Sequence, residues 1–164
     1  MLADWLDNQG CLAISAHHYV DDVGGSPNSF MNDYLGVSSG SANHEYTQVT
    51  GVNSFSGLGP YNVNSPSDFR FSWLGAGANG ELAFTDGATG TAVLSQTANF
   101  TSLYLGWPLE GLLDAQRHLV IGRIVDLCNL NGECRNEDDL AAHYPSWPQE
   151  NSIDDLLNCL LNFR

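Results

Sequence analysis

Lysine is absent from the sequence, and basic residues of any kind are few. The 164 residues include 5 Lys and Arg, all of them arginine, against 19 Asp and Glu, for a formal net charge of -14. Such a charge repels nucleic-acid phosphates and anionic membrane surfaces, so we exclude both as partners. Carboxylates keep a protein surface hydrated and soluble. The acidic, lysine-free composition therefore favours high salt or an extracellular or cell-surface location, with compositional drift as the alternative.

Long apolar runs are missing as well. No segment reaches the roughly 18 consecutive apolar residues that read as a membrane-spanning helix. Residues 1–7 lack the basic and apolar regions of a signal peptide, so for a secreted protein we expect this chain to be a mature piece. Hydrophobic residues still make up 43% of the chain, which is enough for one domain with its own core.

The cysteines lack the C-x₂-C spacing typical of a structural zinc site. Cys128 and Cys134 enclose a short, polar, glycine-containing turn, which predicts a disulfide between them. The complete pairing, which includes Cys159, stays open because four cysteines allow three connectivities. Cys11 lies in an apolar run and is interpreted as a small buried residue.

The first residues have the alternation of elements typical of an α/β layered domain. Leu2, Trp5 and Leu6 recur at helical spacing, and Gly10 ends the helix. The apolar run Cys11–Ser15 follows and predicts a buried strand. A helix, a glycine and a buried strand in this order predict an α/β fold.

Further along the chain, apolar alternation and turn residues predict short strands and three more helices. Ser29 is expected to cap a short helix. The segment 107–113 is expected to turn into a helix whose apolar face continues to about residue 128, and Ser152 is expected to cap a last helix. Residues 38–80 are rich in Ser, Asn and Gly and predict loops with short strands. The predicted strands are 46–49, 69–73, 81–85, 91–95 and 102–106, the third and fourth of them joined by a hairpin turn at 86–90.

Four strings, at residues 5–15, 30–37, 106–112 and 124–128, resemble a known family in their order and spacing; the first reads WLDNQGCLAIS. The family is the class I glutamine-amidotransferase-like, flavodoxin-like domain of large secreted bacterial multidomain proteins. The resemblance covers residues 1–128 and implies a three-layer α/β sheet with flanking helices. Residues 129–164 are then expected to form a disulfide-containing linker and a short C-terminal helical tail.

The chain departs from the family in two respects. The family's domain opens with a strand, a helix and a second strand before this first helix, so we expect an N-terminally truncated domain. A sheet without those strands exposes an edge, which predicts a protein partner or self-association that completes the sheet. Active members carry a cysteine nucleophile at the turn after the first strand of this chain. Here that turn reads Ser15-Ala16-His17, so the resemblance implies no catalytic residue.

A cluster of His17, His18, Asp21 and Asp22 follows the predicted strand Cys11–Ser15. Ligands bind at the carboxyl ends of strands in open α/β sheets. Imidazoles with carboxylates could hold Zn²⁺, and the two carboxylates could hold Ca²⁺. Consecutive histidines in an extended segment point in opposite directions, however, which favours a hydrogen-bonded loop and no cofactor. Glu110 follows the last strand and is a further candidate binding residue beside His17, His18 and Asp22.

The sequence is most consistent with a non-catalytic extracellular module that serves structure or interaction in a larger secreted or surface-assembled protein. Two alternatives stay open. One is a degenerate or metal-dependent hydrolase that uses His17, His18 and Asp22. The other is a glycan-binding module in which Trp73, Trp107 and Trp147 form a stacking platform, although most of these aromatics are expected in the core.

Overall fold

A computed structural model describes residues 2–8, 10–16, 18–63 and 70–128, with the main chain alone at Arg70. Within these ranges the chain forms four α-helices and eight strands. The helices are α1 (Leu2–Leu6), α2 (Tyr19–Asp22), α3 (Ser29–Asp33) and α4 (Asp114–Leu127). The strands are β1 (Cys11–Ser15), β2 (Val37–Glu45), β3 (Gln48–Gly51), β4 (Tyr61–Asn62), β5 (Arg70–Ala76), β6 (Gly80–Thr85), β7 (Gly90–Gln96) and β8 (Thr101–Leu105). Two 3-10 turns span Asn53–Phe55 and Leu109–Gly111.

The first helix and strand lie where the sequence predicts them. Helix α1 buries Leu6 completely, and β1 follows after Gly10. A Cβ atom on Gly10 would lie 2.7 Å from the carbonyl oxygen of Trp5. Only glycine fits this close approach of helix and strand, because any side chain would push the two apart.

Six strands form one sheet in the order β1-β8-β7-β6-β3-β4, and β2 pairs with β5 in a second, antiparallel sheet. Strands β1 and β8 are parallel, with Cys11 opposite Thr101 and Ser15 opposite Leu105. The other pairs of the six-stranded sheet are antiparallel. The fold is thus mixed α/β with strands predominating, which confirms the α/β prediction in this coarse form.

Strand β7 lies inside the sheet and buries every residue from Gly90 to Ser95. One face of the sheet carries Val93 and Tyr104 and packs against α2, α3 and the second sheet. The buried cluster there comprises Val20, Met31, Leu35, Val37, Leu74, Val93 and Tyr104. A chain of aromatic rings stabilises another part of the core, with Phe84 5.2 Å from Phe55 and 5.4 Å from Trp107 between ring centroids.

Three local predictions need correction. Residues 37–45, expected to be mostly loop, form the nine-residue strand β2, because pairing with β5 outweighs the weak strand preference of Ser, Gly and Asn. The cap of α3 is Asn28, whose side-chain oxygen accepts from the Met31 N–H at 3.0 Å, and not Ser29. The helix after Trp107 begins only at Asp114, after a 3-10 turn.

Several predictions fall on residues outside the described ranges. These are the last helix, Cys134, Cys159, Trp147 and the division of the chain at residues 128 and 129. Among the described helices, none has the length and apolarity needed to span a bilayer.

Candidate functional site

The candidate site lies at the carboxyl ends of the parallel strands β1 and β8, where the sequence predicts binding residues. Ser15, the last residue of β1, joins the two strand ends. Its hydroxyl donates to the carbonyl oxygen of Trp107 at 3.0 Å and accepts from the Leu109 N–H at 2.7 Å. The two bonds fix the loop after β8 against the end of β1.

A third hydrogen bond holds the same turn. The Tyr104 hydroxyl donates to the carbonyl oxygen of Ala16 at 3.1 Å, and the Tyr104 side chain is completely buried. Burial raises the pKa of the Tyr104 phenol to about 12, so at neutral pH the hydroxyl keeps its proton and acts as a donor. Tyr19 packs edge-on against the same ring, with 5.8 Å between ring centroids.

This geometry decides what Ser15 can do. A serine nucleophile must give its proton to a base within hydrogen-bond reach. The hydroxyl proton of Ser15 is instead held by a main-chain carbonyl, and its oxygen accepts a main-chain N–H. Both contacts hold structure together, and neither group is basic enough to activate the hydroxyl.

The described residues include three of the four predicted metal-binding residues, together with the further candidate Glu110. His18 is half-buried just before α2, while Asp21 and Asp22 are exposed on α2. Glu110 is exposed in the 3-10 turn that follows β8. Over the described residues, no three His, Cys, Asp or Glu side chains lie close enough to hold a metal ion. His17 is outside those residues, so the four-residue site that includes it stays a prediction.

The cysteines correct two predictions. Cys11 and Cys128 form one disulfide, so the predicted pairing of Cys128 with Cys134, which lies outside the described residues, is wrong. Cys11 is half-buried and disulfide-bonded, so its interpretation as a small buried apolar residue is wrong as well. Neither described cysteine is a free thiol. An apolar run around a cysteine does not reveal its oxidation state, which depends on residues distant in sequence.

Two of the three tryptophans expected in a stacking platform lie in the described part of the chain. Trp107 is completely buried and Trp73 is half-buried. Trp5 on α1 is exposed and is 47% accessible. Trp147 lies outside the described residues.

A polar cluster that the sequence did not predict joins β2 to the turn between β6 and β7. His44 Nε2 lies 3.0 Å from Asp86 Oδ2 and 3.2 Å from Thr89 Oγ1. Asp86 Oδ1 accepts the N–H groups of Ala88 at 2.8 Å and Thr89 at 2.6 Å. Burial alone would raise the pKa of Asp86, but the hydrogen bonds from Thr89, Ala88 and His44 outweigh it and hold that pKa below its ordinary value.

This cluster resembles a catalytic triad in composition and differs from one in geometry. A triad histidine uses one ring nitrogen toward the acid and the other toward the nucleophile. Here Asp86 and Thr89 contact the same nitrogen of His44, so no proton can pass through the ring between them. The local sequence signals the hairpin turn, but nothing in it pairs His44 with a residue 42 positions away.

A shallow groove of about 370 Å³ opens near the start of β6 and the end of β7. Its polar side chains include Glu81, whose carboxylate accepts the Ser54 N–H at 3.3 Å. Its volume lies in the range of about 300–1,000 Å³ typical of small-molecule sites. The groove is lined by Ser54, Ala78, Asn79, Gly80, Glu81, Leu94, Gln96 and Thr97.

Comparison with known proteins gives no family assignment. No family model matches the chain. No curated protein matches it either.

Proposed function

We propose that this chain is a non-catalytic extracellular module, amidotransferase-like in fold, that serves structure and interaction within a larger secreted or surface-assembled protein. The observation that carries the proposal is the Ser15 bridge. At the turn where the resembled family has its nucleophile, the hydroxyl of Ser15 is bonded to Trp107 and Leu109 and holds two strand ends together.

Two further features support the proposal. Cys11 and Cys128 are disulfide-bonded, and disulfides persist chiefly in oxidising, extracytoplasmic compartments. The parallel pair β1–β8, with α1 before β1 and α4 after β8, supports the amidotransferase-like part of the proposal. On this proposal the antiparallel strands β6 and β7 extend that sheet.

The test compares the full chain with its Ser15→Ala variant. We expect neither protein to turn over glutamine, amide or ester substrates, and we expect the variant to unfold at a lower temperature. Turnover by the unaltered chain that Ser15→Ala or His17→Ala abolishes would contradict the proposal. Native mass spectrometry of the same sample is the matched metal test, because one stoichiometric Zn²⁺ or Ca²⁺ would favour a metal-dependent hydrolase.

The groove favours a second candidate function, the recognition of a small polar ligand such as a glycan. Glu81, Asn79 and Gln96 line it, and carboxylate and amide groups are suited to bind hydroxyls. Glycan-array binding that Glu81→Gln weakens would support this function. Binding that instead depends on the exposed Trp5 would place any glycan site elsewhere.

A further inference from the structure

The main chain of β1 presents hydrogen-bonding groups to an open edge of the six-stranded sheet. In the described part of the chain, β1 has a strand neighbour on one side only, the parallel strand β8. The Gly10 carbonyl accepts from Thr101 N–H, and the Ala16 N–H donates to Leu105. Even-numbered residues of β1 therefore direct their main-chain groups to β8.

Odd-numbered residues must then direct theirs away from β8, because both groups of one residue point to the same side in this parallel pairing. The N–H and C=O groups of Ala13 and Ser15 thus face the open edge. The side chain of Ala13 is exposed, whereas Leu103, opposite it on β8, is buried. Leu12 and Ile14 are half-buried against the core. The edge therefore combines open main-chain groups with apolar side chains.

The surroundings of β1 are apolar and acidic. On α1, directly before the strand, Leu2 and Trp5 are 45% and 47% accessible. The same helix carries Asp4, and Asp7 follows it, while Asp21 and Asp22 lie on α2 after the strand. Neither helix contains a basic residue. The whole chain carries a net charge of -14, so a second copy would be repelled at this surface and a basic partner would be attracted.

We infer that β1 is a docking edge for an extended apolar segment of a partner protein, flanked by lysine or arginine, which adds as a strand beside β1. The main-chain groups of Ala13 and Ser15 would supply the hydrogen bonds, as in other cases of strand addition. The carboxylates at both ends of β1 would select the basic flanks. This inference rests on the proposed function, for which it names the kind of partner.

The direct test uses the full chain and a synthetic peptide with about five alternating Val and Thr residues, a usual strand length, between lysines at each end. We expect binding that is about tenfold weaker for the same peptide with glutamate flanks, a difference that shrinks at high salt. Binding should slow amide hydrogen exchange at Ala13 and Ser15. It should leave Leu12 and Ile14 unchanged, since β8 already protects them.

Matched variants separate strand addition from a general loss of structure. Ala13→Pro removes an N–H that faces the open edge, a position where strands tolerate proline. It should weaken peptide binding about tenfold and leave the melting temperature nearly unchanged. Should Ala13→Pro fail to fold, a peptide N-methylated on its β1-facing residues provides the same test from the ligand side. That peptide should not bind.

Three results would overturn the inference: no binding by the lysine-flanked peptide, equal binding by both peptides at low salt, or a dimer of the chain that Ala13→Pro dissociates. The last result would assign the edge to a second copy. Failure of the proposed function is a separate outcome, because Ser15-dependent turnover would contradict it whether or not the peptide binds.

Discussion

The six-stranded sheet ends in β4 on one side and in β1 on the other, and its two edges are protected very differently. Strand β4 has only two residues, Tyr61–Asn62, and follows Pro60, which has no N–H to offer. Strand β1 has five residues and pairs along its whole length with β8. Natural sheets blunt their edges with short strands and prolines because open main-chain groups promote unwanted pairing.

Over the described residues, the β4 edge is short and follows a proline, whereas the β1 edge is longer and has a strand neighbour on one side only. At β4 the side chain of Tyr61 is buried, and Gln48 donates to the side chain of Asn62 at 3.4 Å across the pair. At β1 the groups of Ala13 and Ser15 face away from β8. A longer edge with outward main-chain groups, as β1 has in the described part of the chain, is the expected form of a pairing surface.

The largest effect should come from proline substitutions that distinguish the two sides of β1. Ile14→Pro removes an N–H that bonds to β8 and should destabilise the fold by about 3 kcal/mol or more. Ala13→Pro removes an outward N–H and should cost less than about 1 kcal/mol. Urea unfolding of the two variants gives the difference. Equal destabilisation would show that β1 is paired on both sides or on neither.

Reduction of the disulfides should have the next largest effect, and it should act on the β1 side of the sheet. Cys11 begins β1, whereas β4 contains no cysteine. Loss of a native disulfide from a small domain costs typically 2–5 kcal/mol, and we expect about 2–4 kcal/mol here. The measurement is a thermal melt with and without reductant. A Cys11→Ser variant that melts like the oxidised protein would refute the expectation.

The hairpin between β6 and β7 lies inside the sheet, so its stability can be compared with that of the two edges. We expect its contribution to the unfolding free energy to fall at acid pH because of Asp86. The folded pKa of Asp86 is held below its ordinary value. The stability it contributes is therefore full above about pH 4 and is lost as the pH falls through the folded pKa. Asp86→Asn should cost about 1–2 kcal/mol at pH 7 and progressively less as the pH falls below about 4.

The control for Asp86 is the exposed Asp21, whose replacement by asparagine should leave the unfolding free energy almost unchanged at pH 7. Urea titrations of the two variants between pH 2 and 7 measure both. If Asp86→Asn lowers the unfolding free energy by the same amount at every pH, the carboxylate charge does not stabilise the turn.

The smallest of the four effects belongs to the Ser15 bridge. Ser15→Ala removes bonds to one carbonyl and one N–H that water can partly replace, because Ser15 is exposed. We expect a cost of about 1 kcal/mol in chemical unfolding. Ser56→Ala, in an exposed turn, is the matched control and should cost nothing measurable. An unchanged stability in Ser15→Ala would remove the structural role assigned to this hydroxyl.

The sequence predicted the elements that depend on local patterns. Helix α1, Gly10 and β1 follow one another as expected, and so do β6, β7 and β8 with their turn. Their apolar periodicity and turn residues are contained in short windows. Strand β2 was missed because its Ser, Gly and Asn residues become a strand only against β5, about thirty residues later.

The candidate site was predictable in position and not in detail. The carboxyl end of β1 was expected, but the partners of Ser15 lie more than 90 residues away in sequence. His44 and Asp86 are likewise 42 residues apart. The bulge in β2, with Asn43 at φ +70°, directs His44 toward the turn. No local sequence pattern predicts this bulge.

The open edge of β1 is tested most directly by residue-resolved amide hydrogen exchange on the free chain. We predict slow exchange at Leu12 and Ile14, which donate to β8, alternating with fast exchange at Ala13 and Ser15, which face the edge. Slow exchange at all four residues would show that the edge is already covered and would contradict the docking edge.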